Sequence, residues 1–226
     1  MSLPAALLVD QDGTMVDTEP YWEESEAALL AELGGTLTPR MREQMIGGPL
    51  RRTIDVMLAA AARTRDPEQM EIDLVERVAA KIEASGPPWM PAAPDFIART
   101  RSLGIPLALV TSAWARIART VADGAPAGGF DLVVAGDEVD RPKPAPDAYL
   151  EAARRLGAPI GDCLVVEDSP TGIRAGLASG ARVVVIPGVL PIGPSADYSR
   201  LTSLESLTAT VLERLAAGER IDEFED

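Results

Sequence analysis

The chain has 226 residues, 46% hydrophobic and 25% charged, which suits one large domain or a domain with a smaller insertion. A formal net charge of −14 without any Lys/Arg run argues against nucleic acid and anionic membrane surfaces as partners, because both are bound through clustered positive charge. The chain has no histidine and one cysteine, which excludes Ser-His-Asp and Cys-His catalysis, histidine-ligated zinc and an internal disulfide.

The N-terminus and the hydropathy pattern predict a cytoplasmic location without membrane contact. The segment before residue 10 lacks a basic region, and its apolar part has the length of a strand. No apolar stretch approaches the roughly 20 residues that a membrane-spanning helix needs. The single cysteine, Cys163, opens an apolar run, so we expect it to be buried and unreactive. The expected assembly is a monomer or a weak dimer.

Five short apolar runs predict the strands of a parallel sheet, because strands covered on both faces are apolar throughout. The runs cover residues 5–9, 106–110, 131–135, 163–166 and 181–186. Helical patterns alternate with the later runs, and several end at a glycine. They cover residues 94–103, 113–122, 145–156 and 171–179. This alternation predicts an α/β fold with a Rossmann-like, doubly wound parallel sheet.

An all-helical insertion follows the first predicted strand. Residues 18–86 contain no convincing strand, and the chain returns through the proline-rich stretch 86–91. The predicted helices of the insertion cover residues 19–33, 39–45, 51–62 and 67–84. We therefore expect a core domain of residues 1–16 and 88–226 and a helical cap of residues 17–87. The acidic residues 218–226 are expected to be frayed.

Polar residues stand where the predicted strands end, and ligands of open parallel sheets bind beyond the carboxyl ends of the strands. These residues are Asp10, Asp12, Thr111, Ser112, Lys143, Glu167 and Asp168. Lysine occurs at only one other position in the chain. Carboxylate oxygens are suitable ligands for Mg²⁺, and a lysine beside them would neutralise a phosphoryl group. The sequence therefore predicts a magnesium site with a phosphate cradle.

Four segments resemble, in order, the four motifs of the haloacid dehalogenase superfamily. They are residues 10–14 (DQDGT), Thr111, Lys143 within KPAPD, and residues 167–173 (EDSPTGI). The helical insertion resembles the alpha-helical cap of that superfamily. The stretch GIRAGLASGA is similar to the branch that contains beta-phosphoglucomutase and small-metabolite phosphatases.

This resemblance implies a division of roles between two aspartates. Asp10 would be the nucleophile that forms an aspartyl-phosphate. Asp12 would protonate the leaving oxygen and then activate water, and its backbone carbonyl would bind magnesium. Asp10 and Asp168 would be carboxylate ligands of the metal, with Glu167 a direct or water-mediated helper.

The remaining motif residues are implied to bind phosphate or substrate. Thr111 and the backbone N–H of Ser112 would hold the phosphoryl oxygens, and Lys143 would screen the nucleophile from the phosphate. Gly13 would permit the sharp turn after the first strand. Residues 48–51 (GPLR) resemble a cap loop of the form Gly-x-Ser-Arg, so Arg51 would bind a second anionic group of the substrate.

Together these features predict a Mg²⁺-dependent phosphatase acting on a small phosphorylated metabolite such as a sugar phosphate. Asp12 favours phosphoryl transfer over carbon–halogen cleavage, since the dehalogenases lack an aspartate there. One alternative is a beta-phosphoglucomutase-like phosphosugar mutase, although Trp22 stands where the mutases have a cap histidine. The non-enzymatic alternative is a phosphate-binding regulatory module on the same fold.

Overall fold

Six parallel strands form one sheet in the computed structural model, which describes residues 2–45, 50–126, 128–188 and 190–224. The strands are β1 (Ala6–Val9), β2 (Leu107–Val110), β3 (Leu132–Val134), β4 (Cys163–Glu167), β5 (Arg182–Val185) and β6 (Ser199–Arg200). Their order across the sheet is β3-β2-β1-β4-β5-β6. The first five agree with the predicted runs to within one residue at each end. The predicted α/β, Rossmann-like fold class is confirmed.

Nine α-helices lie in the described residues, eight of them at predicted positions. They are α1 (Glu19–Glu32), α2 (Pro39–Met45), α3 (Leu50–Ala60), α4 (Pro67–Ser85), α5 (Ala93–Ser102), α6 (Ala115–Asp123), α7 (Asp147–Leu156), α8 (Pro170–Ser179) and α9 (Ala209–Ala216). The chain divides into two compact units. The core unit comprises Met1–Asp17 and Pro87–Asp226, and the helical unit comprises Thr18–Gly86.

The core unit buries the central strands completely. Every residue of β1, β2 and β4 is buried, which explains why their sequences are apolar almost throughout. The buried face of α7 packs against these strands through Ala148, Tyr149 and Ala152. Cys163 lies in the same apolar cluster with no exposed surface, so its predicted burial is confirmed.

The helical unit has an apolar core of its own. The buried members of this core are Leu29, Leu30, Leu33, Met45, Ile54, Met57, Met70 and Leu74. The helix α4 begins at Pro67, and the Asp66 side chain before it accepts a hydrogen bond from Glu68 N at 3.3 Å. No helix in the described parts of the chain is long and apolar enough to cross a membrane.

The C-terminal part of the core unit differs from the expectation. The strand β6 and the helix α9 were not predicted, and residues 219–224 are not frayed. Arg200 of β6 contacts the Asp222 carboxylate at 2.9 Å, and its backbone oxygen accepts a hydrogen bond from Glu223 N at 2.9 Å. The chain after α9 is thus tied to the edge of the sheet, whereas residues 225 and 226 lie outside the described part.

Candidate active site

Two neighbouring strands bring three buried carboxylates together. Asp10 follows β1, Glu167 is the last residue of β4, and Asp168 comes directly after it. Because β1 and β4 are paired, with Val9 beside Val166, these residues leave the sheet side by side. One oxygen of each carboxylate lies within 4.8 Å of the other two. Three negative groups this close resist ionisation unless positive charge joins them.

Lys143 supplies positive charge to this cluster. Its ammonium donates to Asp10 Oδ1 at 2.6 Å, to Glu167 Oε1 at 2.7 Å and to the backbone oxygen of Val110 at 2.9 Å. These three acceptors use all three of its N–H donors. Only 9% of the residue is exposed, so water hardly screens its charge. The predicted functional lysine therefore bridges the ends of β1, β2 and β4.

Burial and mutual repulsion shift the pKa values of the cluster. Burial and the Glu167 charge raise the pKa of Asp10 well above its ordinary value, against the pull of Lys143. Burial, with Glu167, raises the pKa of Asp168 to about 6. Burial alone would lower the pKa of Lys143, but Asp10 and Glu167 reverse this and raise it. Three carboxylates and one ammonium leave excess negative charge, and this all-oxygen set fits a hard divalent cation such as Mg²⁺.

Asp168 lies against two glycines, Gly13 in the turn after β1 and Gly188 after β5. Gly13 has a φ of +88°, and its N–H donates to Val16 O at 2.9 Å, so the chain folds back directly after Asp12. A β-carbon on Gly13 or on Gly188 would overlap the Asp168 carboxylate. Asp168 also accepts a hydrogen bond from the Thr14 hydroxyl at 3.3 Å. The backbone thus approaches Asp168 closely on two sides.

Thr111 and Ser112 follow β2, whose last residue, Val110, accepts the hydrogen bond from Lys143. Thr111 is buried, and its hydroxyl oxygen accepts a hydrogen bond from Ala113 N at 2.9 Å, whereas Ser112 is exposed. Asp12 is exposed as well. The strand ends therefore combine a buried charged cluster with polar groups that open to solvent.

Arg51 lies on α3 in the helical unit. It forms ion pairs with Asp55 at 3.3 Å and with Glu71 at 3.9 Å, and 56% of its side chain is exposed. Residues 46–49, which include the Gly48 and Pro49 of the predicted substrate loop, lie outside the described residues. Within the helical unit the guanidinium of Arg51 is thus shared between two carboxylates.

A family model described as haloacid dehalogenase-like hydrolase matches residues 4–180, more than three quarters of the chain. The chain belongs to the haloacid dehalogenase-like hydrolases. The family predicted from four strand-end motifs is therefore confirmed. The match includes every strand end that contributes to the cluster of Asp10, Lys143, Glu167 and Asp168.

Relatives of known name resemble the chain over nearly its whole length. Hexitol phosphatase A of Escherichia coli strain K12 is 33% identical over 205 residues, which are 90% of this chain and 93% of that protein. A crystal structure of a CbbY variant from Rhodobacter sphaeroides, in complex with xylulose-1,5-bisphosphate, is 27% identical with a TM-score of 0.79 and covers 93% of this chain and 99% of that one. A crystal structure of a putative beta-phosphoglucomutase from Thermotoga maritima is 25% identical with a TM-score of 0.76. It covers 92% of this chain and 98% of that one.

In this haloacid dehalogenase-like hydrolase, Glu167 is surrounded by donors from its own chain. Oε1 accepts from Lys143 and from the Tyr149 hydroxyl, each at 2.7 Å. Oε2 accepts from Asp168 N and Ser169 N at 3.2 Å, and from the Ser169 hydroxyl at 3.0 Å. Ser169 also caps α8 by accepting from Gly172 N at 3.0 Å. These five donors occupy both oxygens of Glu167, which leaves Asp10 and Asp168 as the carboxylates more available to a metal.

Sequence reasoning missed Tyr149 as a member of this site. It has no exposed surface, and the Lys143 ammonium lies 4.8 Å from the centre of its ring. Burial and the nearby Glu167 charge raise the pKa of Tyr149 well above its ordinary value, so the hydroxyl keeps its proton for Glu167. The sequence offered one signal for this role. Tyr149 follows Lys143 by six residues and lies on the buried face of a helix.

Proposed function

We propose that this protein is a phosphatase that hydrolyses a small phosphorylated metabolite through an aspartyl-phosphate on Asp10. The observation that carries the proposal is the contact of 2.6 Å between the Asp10 carboxylate and the buried Lys143 ammonium, at the end of the central strand. A nucleophilic carboxylate must approach a phosphate that is also negative, and a fixed ammonium lowers this repulsion. The similarity to hexitol phosphatase A supports the same chemistry.

In the first step an Asp10 oxygen forms a bond to phosphorus while the bond from phosphorus to the leaving oxygen breaks. Asp12, two residues further along the turn, gives a proton to that oxygen, and the metabolite leaves as an alcohol. In the second step Asp12 takes a proton from water, which attacks phosphorus and releases inorganic phosphate from Asp10. Thr111 and the backbone N–H of Ser112 bind the phosphoryl oxygens in both steps.

Mg²⁺ is the cation that we propose for this all-oxygen donor set. Asp10, Asp168 and the backbone carbonyl of Asp12 would hold it, and Glu167 would support the site through Lys143 and the start of α8. Bound there, the ion would neutralise charge on the phosphoryl oxygens.

A sugar phosphate or sugar alcohol phosphate is the substrate class we propose. The hexitol phosphatase and the CbbY variant bound to xylulose-1,5-bisphosphate carry such compounds in their names. The helical unit would serve as the cap that selects the substrate, with Arg51 exchanging its contacts to Asp55 and Glu71 for an anionic group of the substrate. A phosphosugar mutase is the second candidate, because a putative beta-phosphoglucomutase shares the fold. The absence of histidine favours the phosphatase.

Phosphate release from a panel of phosphorylated metabolites, with and without Mg²⁺, tests the proposal. The wild-type protein should release phosphate only with Mg²⁺, and Asp10→Asn should be inactive while its thermal unfolding stays cooperative. Asp95→Asn, which removes an exposed carboxylate of the core unit, is the matched control and should keep full activity. Conversion of a hexose 1-phosphate to its 6-phosphate without phosphate release would establish the mutase instead. If neither reaction occurs with any compound, the non-enzymatic alternative, a phosphate-binding regulatory module, would be favoured.

A further inference from the structure

Gln11, the second residue of the first motif, lies between the two aspartates in the sequence and is completely buried. Its Nε2 donates to Asp12 Oδ2 at 2.9 Å. Its Oε1 has no hydrogen-bond partner in the described protein. A buried amide oxygen without a partner destabilises the folded state, and an apolar side chain at this position would not have that cost.

The turn itself does not need the glutamine side chain. The backbone oxygen of Gln11 accepts hydrogen bonds from Met15 N at 2.8 Å and Val16 N at 3.0 Å, and the Gly13 N–H closes the loop onto Val16 O. These bonds involve main-chain atoms only, so any residue could make them. The position has no exposed surface, and a leucine or methionine of similar volume would fill it. The amide therefore needs an explanation other than the fold of the loop.

We propose that Gln11 is a positioning residue that orients the Asp12 carboxylate towards the leaving oxygen. The assignment rests on the proposed function, in which Asp12 is the proton donor and acceptor. Asp12 is exposed, and a carboxylate at the surface samples several orientations unless a neighbour fixes it. The buried Nε2 provides a fixed donor on the protein side of Asp12.

The amide group also suits both halves of the reaction. It carries a donor and an acceptor on one carbon, and a half-turn about its last torsion exchanges them. Nε2 can then donate to the carboxylate, and Oε1 can accept from the carboxylic acid. Leucine and methionine offer neither contact, although they fill a similar volume.

The experiment compares Gln11→Met and Gln11→Leu with the wild type on two probes, p-nitrophenyl phosphate and sorbitol 6-phosphate. The value of kcat/KM reports the steps up to the first phosphoryl transfer. Nitrophenolate leaves without a proton, whereas the sorbitol alkoxide needs one from Asp12. We expect kcat/KM for sorbitol 6-phosphate to fall about 10-fold or more and that for p-nitrophenyl phosphate to change less than about threefold.

Thermal unfolding separates positioning from a structural role. The midpoints of both variants should equal or exceed that of the wild type, because each removes a buried oxygen without a partner. Gln69→Met, on the exposed face of α4, is the matched control and should change neither kcat/KM value. Equal losses of kcat/KM for both probes, or no loss for either, would overturn the proposed role of Gln11 and leave the proposed function standing. A wild type that hydrolyses neither probe nor any member of the metabolite panel would overturn the proposed function, and this assignment with it.

Discussion

At the scale of single residues, Tyr149 contacts the charged cluster through two different parts of its side chain. The hydroxyl donates to Glu167, and the ring faces the ammonium of Lys143. Since Glu167 in turn contacts Lys143, the tyrosine fixes both partners of one ion pair. A buried hydrogen bond to a charged acceptor contributes about 1.5–3 kcal/mol, more than a neutral one.

The variant Tyr149→Phe removes the hydroxyl and keeps the ring. We expect its free energy of unfolding, measured by urea titration, to fall by about 2 kcal/mol, because Glu167 remains buried with one donor fewer. Tyr198→Phe is the matched control, since the Tyr198 hydroxyl donates to Gly193 O at 2.7 Å near the surface, and it should cost less than about 0.5 kcal/mol. Equal losses in the two variants would contradict a special role for the Glu167 contact.

The site residues that the sequence predicted differ in kind from those it missed. Asp10 and Asp168 are charged residues at strand ends, and Lys143 is one of only two lysines in the chain, so the sequence alone marks all three as unusual. Gln11 and Tyr149 act through a hydrogen bond made at a buried position. Whether a buried amide or hydroxyl contacts an active carboxylate depends on the packing of neighbouring elements, which one sequence does not contain.

At the scale of secondary-structure elements, α1 and α2 are joined by a half-buried group of charges. Arg42 of α2 contacts Glu26 at 2.5 Å and Glu19 at 2.8 Å, and only 4% of the Glu26 side chain is exposed. Burial raises the pKa of Glu26 to about 7, although Arg42 pulls it in the opposite direction. Ionised Glu26 therefore opposes folding of the helical unit, even beside an arginine.

This shift predicts how stability changes with pH. Between about pH 4.5 and pH 7 the unfolded chain loses the Glu26 proton while the folded chain keeps it. Stability from this group is therefore present at low pH and is lost, by up to about 3 kcal/mol, as the pH rises to 7. Urea unfolding from pH 5 to pH 8 measures the free energy of unfolding of the wild type and of Glu26→Gln. The difference between these two free energies should change as the pH rises to 7. Glu24→Gln on the exposed side of α1 controls for the charge, and parallel curves for wild type and Glu26→Gln would contradict the prediction.

The strand β6 and the C-terminal segment, which the sequence failed to predict, are short and depend on distant partners. The strand β6 has two residues, both polar, and exists because Val184 pairs with Ser199 and Val185 with Arg200. Residues 219–224 are held through Arg200 and Asp222, which are 22 positions apart. Periodicity needs more residues than the two of β6 to be visible, so this strand could not be located in advance.

At the scale of the whole molecule, negative charge is in excess both overall and inside the core unit. The formal net charge is −14, and the three carboxylates of the site face a single lysine. Their ligand atoms come from the ends of β1 and β4, which are the two middle strands of the sheet. A cation bound there requires the folded sheet, so its binding free energy adds to the stability of the core unit.

Removing the metal should therefore lower the thermal unfolding midpoint of the wild type but not that of Asp168→Asn. Millimolar Mg²⁺, compared with a chelator at equal ionic strength, should raise the wild-type midpoint by about 5 °C, which corresponds to about 2 kcal/mol for a chain of this length. Without the metal, Asp168→Asn should be at least as stable as the wild type, because it removes a buried charge that Glu167 and Asp10 repel. Asp95→Asn should respond to Mg²⁺ as the wild type does. An equal response from all three proteins would mean that Mg²⁺ acts through the net charge of −14 and not through the strand-end carboxylates.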